Sequence, residues 1–145
     1  SRFFSGVITA RDRIDLTICN PPFHASAKEA QKGSLRKAKN LKYRPDRVAK
    51  LNFAGQQNEL WCEGGELSFL KKMIAESQQF KTNVRWFTSL VSKEANLKPL
   101  LQELKAVKAI QVKTVNMGQG NKISRMIAWS FLTEVEYEKW IELKV

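Results

Sequence analysis

The chain contains the stretch Ile14-Asp15-Leu16-Thr17-Ile18-Cys19-Asn20-Pro21-Pro22-Phe23, which does most to decide the fold that the sequence predicts. Residues 14–19 form a short apolar run with β-branched side chains, a pattern typical of a buried strand. The Asn-Pro-Pro that follows stops the run, because proline has no amide hydrogen to donate within a sheet or helix. The sequence therefore predicts a strand that ends in a rigid turn at the carboxyl edge of a sheet.

Helix and strand patterns alternate after this turn, from Gly64-Gly65 onward. The predicted elements are a helix from Gly64 to Phe80, strand 84–91, helix 97–107, strand 109–116, strand 126–132 and a helix over 134–145. The Gly118–Asn121 loop is too short for a helical crossover, so the last two strands are predicted to be antiparallel. The chain is thus predicted to be α/β, with a mixed sheet of about four strands that looks like half of a larger one.

The charge of the chain is strongly positive. Lys and Arg number 25 against 14 Asp and Glu, giving a net charge of +11 and a pI near 9.9. Such a balance favours a polyanionic partner, most commonly nucleic acid. A long basic loop is predicted at 25–57, and its cations are candidates for phosphate contact: Lys28, Lys32, Arg36, Lys37, Lys39, Lys42, Arg44, Arg47 and Lys50. The alternative interpretation of this segment is a charged surface that contacts only solvent. Outside the segment, Lys122 and Arg125 are further candidates for RNA contact.

Other classes of protein are disfavoured by composition. No run of about 18 apolar residues and no charged-then-apolar leader is present, so we expect a cytoplasmic protein without a membrane partner. Cys19 and Cys62 lie far apart in the sequence, with no Cys-x-x-Cys or Cys/His cluster, which argues against a zinc site or a disulfide framework. Both cysteines are predicted to be reduced and buried.

The tetrapeptide Asn20-Pro21-Pro22-Phe23 suits one particular chemistry. An exocyclic amine of a base is a weak nucleophile because its lone pair is delocalised into the ring. The side-chain carbonyl of Asn20 and the main-chain carbonyl of Pro21 can each accept one amine hydrogen and hold the nitrogen in line with a methyl donor. Pro22 stiffens the turn, and Phe23 offers a flat face for a base taken out of its stack. A turn that merely ends a strand is the alternative.

Several separated segments resemble one known family, in the same order. They are Asp15 to His24, Asn52 to Glu66, Arg85 to Val91, Gly118-Gln119-Gly120, Ser124-Arg125 and Ala128-Trp129-Ser130-Phe131. These segments resemble the bacterial large-subunit ribosomal RNA adenine-N6 methyltransferase F family and, more distantly, the human methyltransferase-like sixteen group. The resemblance covers nearly the whole chain.

The resemblance implies a class I, Rossmann-like fold, S-adenosylmethionine as cofactor, and methylation of one adenine in 23S ribosomal RNA. It also implies that Asn20 and Pro21 hold the target amine, that Phe23 stacks on the base, and that Asn20 faces the cofactor. The family's glycine-rich cofactor loop has no counterpart before Asn20. We therefore expect residues 1–145 to be the carboxy-terminal, substrate-facing part of one domain, holding strands four to seven and inactive alone.

Two alternatives to this function stay open. A guanine-N2 methyltransferase of ribosomal RNA would use the same Asn-Pro-Pro-Phe chemistry, and a non-catalytic RNA-binding module would use only the basic loop. The family's sheet order also implies that the strand ending at Cys19 would pair with a strand missing from this chain. The apolar edge left open is expected to favour self-association.

Overall fold

A computed structural model of the chain describes residues 2–22 and 64–144. The strands in these residues are β1 (Ile14–Cys19), β2 (Val84–Val91), β3 (Gln111–Gln119) and β4 (Lys122–Ser130). The helices are α1 (Gly65–Ser77), α2 (Leu97–Ala106) and α3 (Glu134–Lys144), with short 3-10 turns at Gln78–Phe80 and Glu94–Asn96. The strands form one sheet in the order β1-β2-β4-β3.

The sheet is mixed. β1 and β2 are parallel, whereas β4 runs antiparallel to both β2 and β3. The predicted α/β class, mixed sheet and terminal antiparallel hairpin are therefore confirmed. The predicted bounds of β1 and β2 also match the structure, because both strands are compact apolar runs with clear breaks on either side.

The hairpin between β3 and β4 is tighter than the sequence predicted. The predicted four-residue loop at Gly118–Asn121 is wrong, because β3 continues to Gln119 and pairs there with Lys122. Only Gly120 and Asn121 lie between the paired residues. Gly120 has a φ of +67°, a conformation that suits the first position of a two-residue hairpin turn. Both strands are consequently longer at the turn than expected.

The core lies between the sheet and its helices. Trp129 of β4 stacks on Phe87 of β2 with ring centroids 5.6 Å apart, and both are fully buried. The Trp129 indole nitrogen donates to the Ser77 hydroxyl at the end of α1 over 3.0 Å, which satisfies two buried polar groups at once. The other fully buried apolar side chains include Leu70, Ile74, Val84, Val91, Leu100, Leu104 and Ile127.

Helix α3 begins at Glu134, as predicted, and a reciprocal pair of hydrogen bonds caps its amino end. The Thr133 hydroxyl accepts a hydrogen bond from the Glu136 amide over 3.1 Å, and the Glu136 carboxylate accepts one from the Thr133 amide over 3.2 Å. This reciprocal pair is a capping box, and it satisfies amides that the first helical turn would otherwise leave unpaired. The helix packs through Trp140, which is buried.

The outer strand β1 is more exposed than the central strand β2. Strand β1 stands at one end of the strand order, with β2 as its only neighbour among the described residues. Its Leu16 and Ile18 side chains are exposed, Ile18 to 70%.

No helix within the described residues is both long and apolar enough to cross a membrane.

Candidate functional site

The carboxyl ends of the parallel strands β1 and β2 form one edge of the sheet. Asn20 directly follows β1 and is exposed, and Ser92 directly follows β2 and is also exposed. Because β1 and β2 are neighbouring parallel strands, these residues leave the sheet in the same direction. In open α/β sheets, ligands bind outside the carboxyl ends of the strands. The structure therefore puts Asn20 at the edge where that general rule locates a site.

Hydroxyl groups of β2 hold the end of β1 in place. The buried Thr88 hydroxyl donates to the Thr17 carbonyl over 2.6 Å. The Ser89 hydroxyl, also buried, lies 3.0 Å from the Leu90 carbonyl and 3.4 Å from the Cys19 carbonyl. A hydroxyl has one hydrogen to donate, so the closer carbonyl is its main acceptor. The Thr88 bond therefore adds most to the backbone pairing, and it limits the movement of the chain that leads into Asn20.

Cys19, the last residue of β1, has no cysteine partner and is half-buried. The prediction that its thiol is buried is therefore correct only in part, because among the described residues β1 has a neighbouring strand on one side alone. Burial nevertheless raises the pKa of the Cys19 thiol above its ordinary value, and a hydrogen bond with Ser89 opposes the rise. The thiol stays protonated at neutral pH, which makes it a poor nucleophile beside Asn20.

Arg125 of β4 reaches the end of β2. It lies opposite Val91 in the strand register and is only 7% exposed. One guanidinium nitrogen, Nη1, donates to the Val91 carbonyl over 3.3 Å and to the Ser92 carbonyl over 3.4 Å. The sequence made Arg125 a candidate for RNA contact, but its burial and its bonds to the main chain indicate a contact inside the protein instead.

The other predicted site residues are distributed unevenly over the described part of the chain. Pro21 and Pro22 are described, and both are buried. Phe23 lies outside the described residues, as do Cys62 and all nine cations of the predicted basic loop. The structure thus locates the first residue of the tetrapeptide at the sheet edge, while the stacking and phosphate-contact roles stay predictions.

Thr88 and Ser89 were given no separate role by the sequence patterns. A signal was present, because two adjacent hydroxyl residues interrupt the otherwise apolar core of β2. A polar side chain in a buried strand needs a hydrogen-bond partner, and the carbonyls of an adjacent strand can provide one. Which carbonyls accept these bonds depends on the parallel register, which the sequence does not specify.

The described residues fit only part of a cofactor site. At the carboxyl edge, β1 is followed by Asn20 and Pro21, and β2 by Ser92 and Lys93, so neither strand of this parallel pair leads into a glycine-rich turn. Such turns are what lets a Rossmann-like sheet bring its backbone close to a bound cofactor. Asn20 has the exposure and the carbonyl needed to border a bound methyl donor, but these residues do not enclose one.

Comparison with known proteins gives the class first. A family model described as RNA methyltransferase matches residues 1–133, and the chain belongs to that family. Individual relatives give a more specific match than the family model does. Ribosomal RNA large subunit methyltransferase F of Shewanella woodyi is 52% identical over 99% of this chain, and that of Cytophaga hutchinsonii is 48% identical over 97%. The match spans 41% and 44% of those two proteins, so the chain covers less than half of their length.

Solved structures are similar to the chain as well. The hMettl16 catalytic domain in complex with MAT2A 3'UTR hairpin 1 is 31% identical, with a TM-score of 0.67 over 90% of this chain and 43% of that one. The N-terminal domain of human METTL16 in complex with SAH is 26% identical, with a TM-score of 0.55 over 87% of this chain and 36% of that one. The four-stranded mixed sheet is thus a part of the methyltransferase domain fold found in these proteins.

Proposed function

We propose that this chain is the substrate-facing part of an S-adenosylmethionine-dependent methyltransferase that modifies N6 of an adenine in 23S ribosomal RNA. The observation that carries the proposal is the exposed Asn20 at the carboxyl end of a parallel strand, directly before Pro21 and Pro22. Membership of an RNA methyltransferase family and the names of the most similar relatives support RNA as the substrate. The chemistry of the tetrapeptide supports an exocyclic amine as the target, and the choice of adenine N6 over guanine N2 rests on the resemblance of the sequence to the adenine-N6 methyltransferase F family.

In this proposal Asn20 and Pro21 orient the amine. The carboxamide oxygen of Asn20 and the main-chain oxygen of Pro21 each accept one amine hydrogen. Two acceptors fix the amine in direction as well as position, and correct orientation of reacting groups can lower a barrier by several kcal/mol. Phe23 stacks on the extruded base, and stacking offsets part of the cost of removing the base from its neighbours.

S-adenosylmethionine is the proposed cofactor, and it supplies an electrophilic methyl group. Support comes from a similar human domain solved in complex with SAH. Within this chain only Asn20 is proposed to border the cofactor. We propose that the main cofactor contacts lie in a further part of the domain, since the most similar relatives are more than twice as long as the region they share with this chain.

RNA binding is proposed to depend on the basic segment 25–57, which the sequence predicts to be a loop. Its nine cations contribute much of the positive charge of the chain, and lysines and arginines that neutralise phosphates release counterions from the nucleic acid. Affinity for ribosomal RNA should consequently fall as salt concentration rises. We also propose that the protein acts in the cytoplasm, where ribosomal RNA is available.

The test is to identify the methylated nucleoside. The full-length protein that contains this chain is incubated with unmodified ribosomal RNA and isotope-labelled S-adenosylmethionine, and the RNA is digested and analysed by mass spectrometry. Labelled N6-methyladenosine supports the proposal, whereas N2-methylguanosine supports the guanine alternative. RNA binding without any labelled nucleoside supports the non-catalytic module. The chain of 145 residues, assayed in parallel, should give no product.

A partner is also proposed for the edge of β1 that faces no other strand of the described residues. Unpaired backbone groups and exposed apolar side chains on an edge strand favour pairing with another strand. Leu16 and Ile18 are exposed on this strand. We propose that the isolated chain covers the edge by self-association, and that in a longer protein another strand of the same domain occupies it.

A further inference from the structure

The end of β2 is held by a charged side chain rather than by backbone pairing alone. Arg125 bridges the carbonyls of Val91 and Ser92, the last residue of β2 and the first residue beyond it. An arginine is always charged, and burying a charge is costly unless hydrogen bonds compensate it. Ser92 lies just beyond the last residue of β2. Its hydrogen bond with Arg125 therefore constrains the direction in which the chain leaves the sheet.

That direction affects the candidate site. Residue 92 lies at the same edge as Asn20, because β1 and β2 are parallel and in register up to Cys19 and Ser89. The residues after β2 turn at Glu94–Asn96 into α2. A change in the path of residues 92–96 would therefore alter the sheet edge to which Asn20 also belongs.

We propose that Arg125 is a positioning residue of the methylation site, acting through the Ser92 segment that it ties to β4. The proposal rests on the function proposed above. It assigns Arg125 an effect on the alignment of the bound base and not on the affinity for RNA, because the guanidinium is buried and donates to the main chain.

Arg85 provides a matched control. It is also 7% exposed and lies on β2, but at the amino end of the strand. Its guanidinium lies 3.9 Å from the ring centroid of Tyr137 and donates to the Ser130 hydroxyl over 3.2 Å. Replacing Arg85 removes an equally buried guanidinium from the neighbouring strand β2, at the end opposite to the carboxyl edge.

The experiment compares Arg125→Met, Arg125→Lys and Arg85→Met in the full-length protein, with kcat and KM for RNA measured per folded molecule. We expect Arg125→Met to lower kcat by about 10- to 100-fold, since small misplacements of reacting groups have effects of that size. KM for RNA should change by less than about threefold. Arg125→Lys should recover part of kcat, because a lysine keeps the charge but not the planar fork. Arg85→Met should leave kcat unchanged.

Hydrogen exchange provides a second measurement if a variant is poorly folded. Amides of residues 92–96 should exchange faster in Arg125→Lys than in the wild-type protein, with α1 unaffected. An unchanged kcat in Arg125→Met, a rise in KM alone, or unchanged exchange in Arg125→Lys would each overturn the positioning role while the proposed function stands. If the wild-type protein methylates no RNA, the proposed function and the positioning role both fall.

Discussion

The two ends of the parallel pair β1 and β2 are built differently. At the amino end, the Asn83 side-chain nitrogen lies 3.1–3.3 Å from the carbonyls of Thr9, Ala10 and Asp12, which share its two hydrogens. The Ile14 amide donates to the Asn83 carbonyl over 2.7 Å. At the carboxyl end, Asn20 is exposed. One end of the strands therefore joins segments of the protein together, and the other leaves a polar side chain facing outward.

The amino end also anchors the last helix. Arg85 lies between Trp86 and Tyr137, with its guanidinium carbon 5.0 Å and 3.9 Å from their ring centroids, and forms an ion pair with Glu134 at 3.4 Å. Three attachments converge there: the segment before β1, the start of β2 and the start of α3. The two ends of the same strands are therefore expected to differ in role: stability should depend on the amino end and the proposed chemistry on the carboxyl end. Each expectation leads to a prediction.

The largest effect is expected at the carboxyl end. Asn20→Ala in the full-length protein should lower methyl transfer by about 100-fold or more, because the proposed mechanism loses one of its two acceptors for the amine. Its melting temperature should stay within the range of surface substitutions, since Asn20 is exposed. Methyl transfer and thermal denaturation are measured on the same preparation.

Asn116→Ala is the control for this prediction. Asn116 is also exposed but lies on β3, at the far side of the sheet. Wild-type activity in Asn20→Ala would refute the proposed role of Asn20, and an equal loss in Asn116→Ala would show that the effect is not local.

The opposite result is expected at the amino end. Arg85→Met should reduce the free energy of unfolding of the full-length protein by about 1–3 kcal/mol, through the loss of charge-assisted hydrogen bonds and ring contacts. Activity per folded molecule should not change. Denaturant titration measures the first quantity and the methylation assay the second. A stable variant with low kcat would contradict the division between the two ends.

A third prediction extends the comparison to the sides of the sheet. In the isolated chain, Ile18→Lys should weaken self-association roughly tenfold, which corresponds to about 1.4 kcal/mol. A lysine on an edge strand opposes pairing with another strand. Ile123→Lys is the matched control, because Ile123 lies in the hairpin strand β4 and is 71% exposed, against 70% for Ile18.

Light scattering over a range of concentrations distinguishes the variants. A wild-type chain that is monomeric throughout, or equal weakening by both lysines, would show that the β1 edge is not the surface involved.

The smallest effect concerns Cys19. Its raised pKa means that the folded chain keeps the thiol proton more tightly than the unfolded chain does. Alkylation should therefore lag behind that of the unfolded chain at pH 8 and accelerate only as the pH rises further. The contribution to stability has the matching sign: it is present below the unfolded pKa and is lost as the pH rises through the folded pKa.

Mass spectrometry of iodoacetamide-treated Cys62→Ser protein measures the rate, with urea-unfolded protein as the reference. Rapid alkylation of the folded protein at neutral pH would instead place a reactive thiolate next to Asn20.

Sequence patterns predicted the local elements well where one interaction dominates. The bounds of β1 and β2 follow from apolar runs with clear breaks, and α3 begins at Glu134, where the sequence predicted a helix. The hairpin was predicted less well, because the polar stretch around Gly118 looked like a loop. Backbone pairing with β4 stabilises that stretch as a strand, and the sequence does not reveal a partner strand directly.

The candidate site, like the fold, could be predicted from the sequence only in part. The tetrapeptide could be proposed as a site from the sequence because its chemistry depends on adjacent residues, and the role of Asn20 stays a prediction. Arg125 could not be given its main-chain role, since its acceptors at Val91 and Ser92 are more than thirty positions away in the sequence. A buried arginine and a phosphate-binding one look alike in the sequence.

The sequence by itself determined the kinds of element, the position of the rigid turn after β1 and the chemistry that Asn20 and the prolines can perform. These follow from local backbone preferences and from functional groups that adjacent residues carry. Only the tertiary structure decided that β4 inserts between β2 and β3, and that the end of β2 is bonded to Arg125. The physical reason is that strand order and hydrogen-bond partners depend on contacts between distant parts of the chain, which local sequence patterns do not encode.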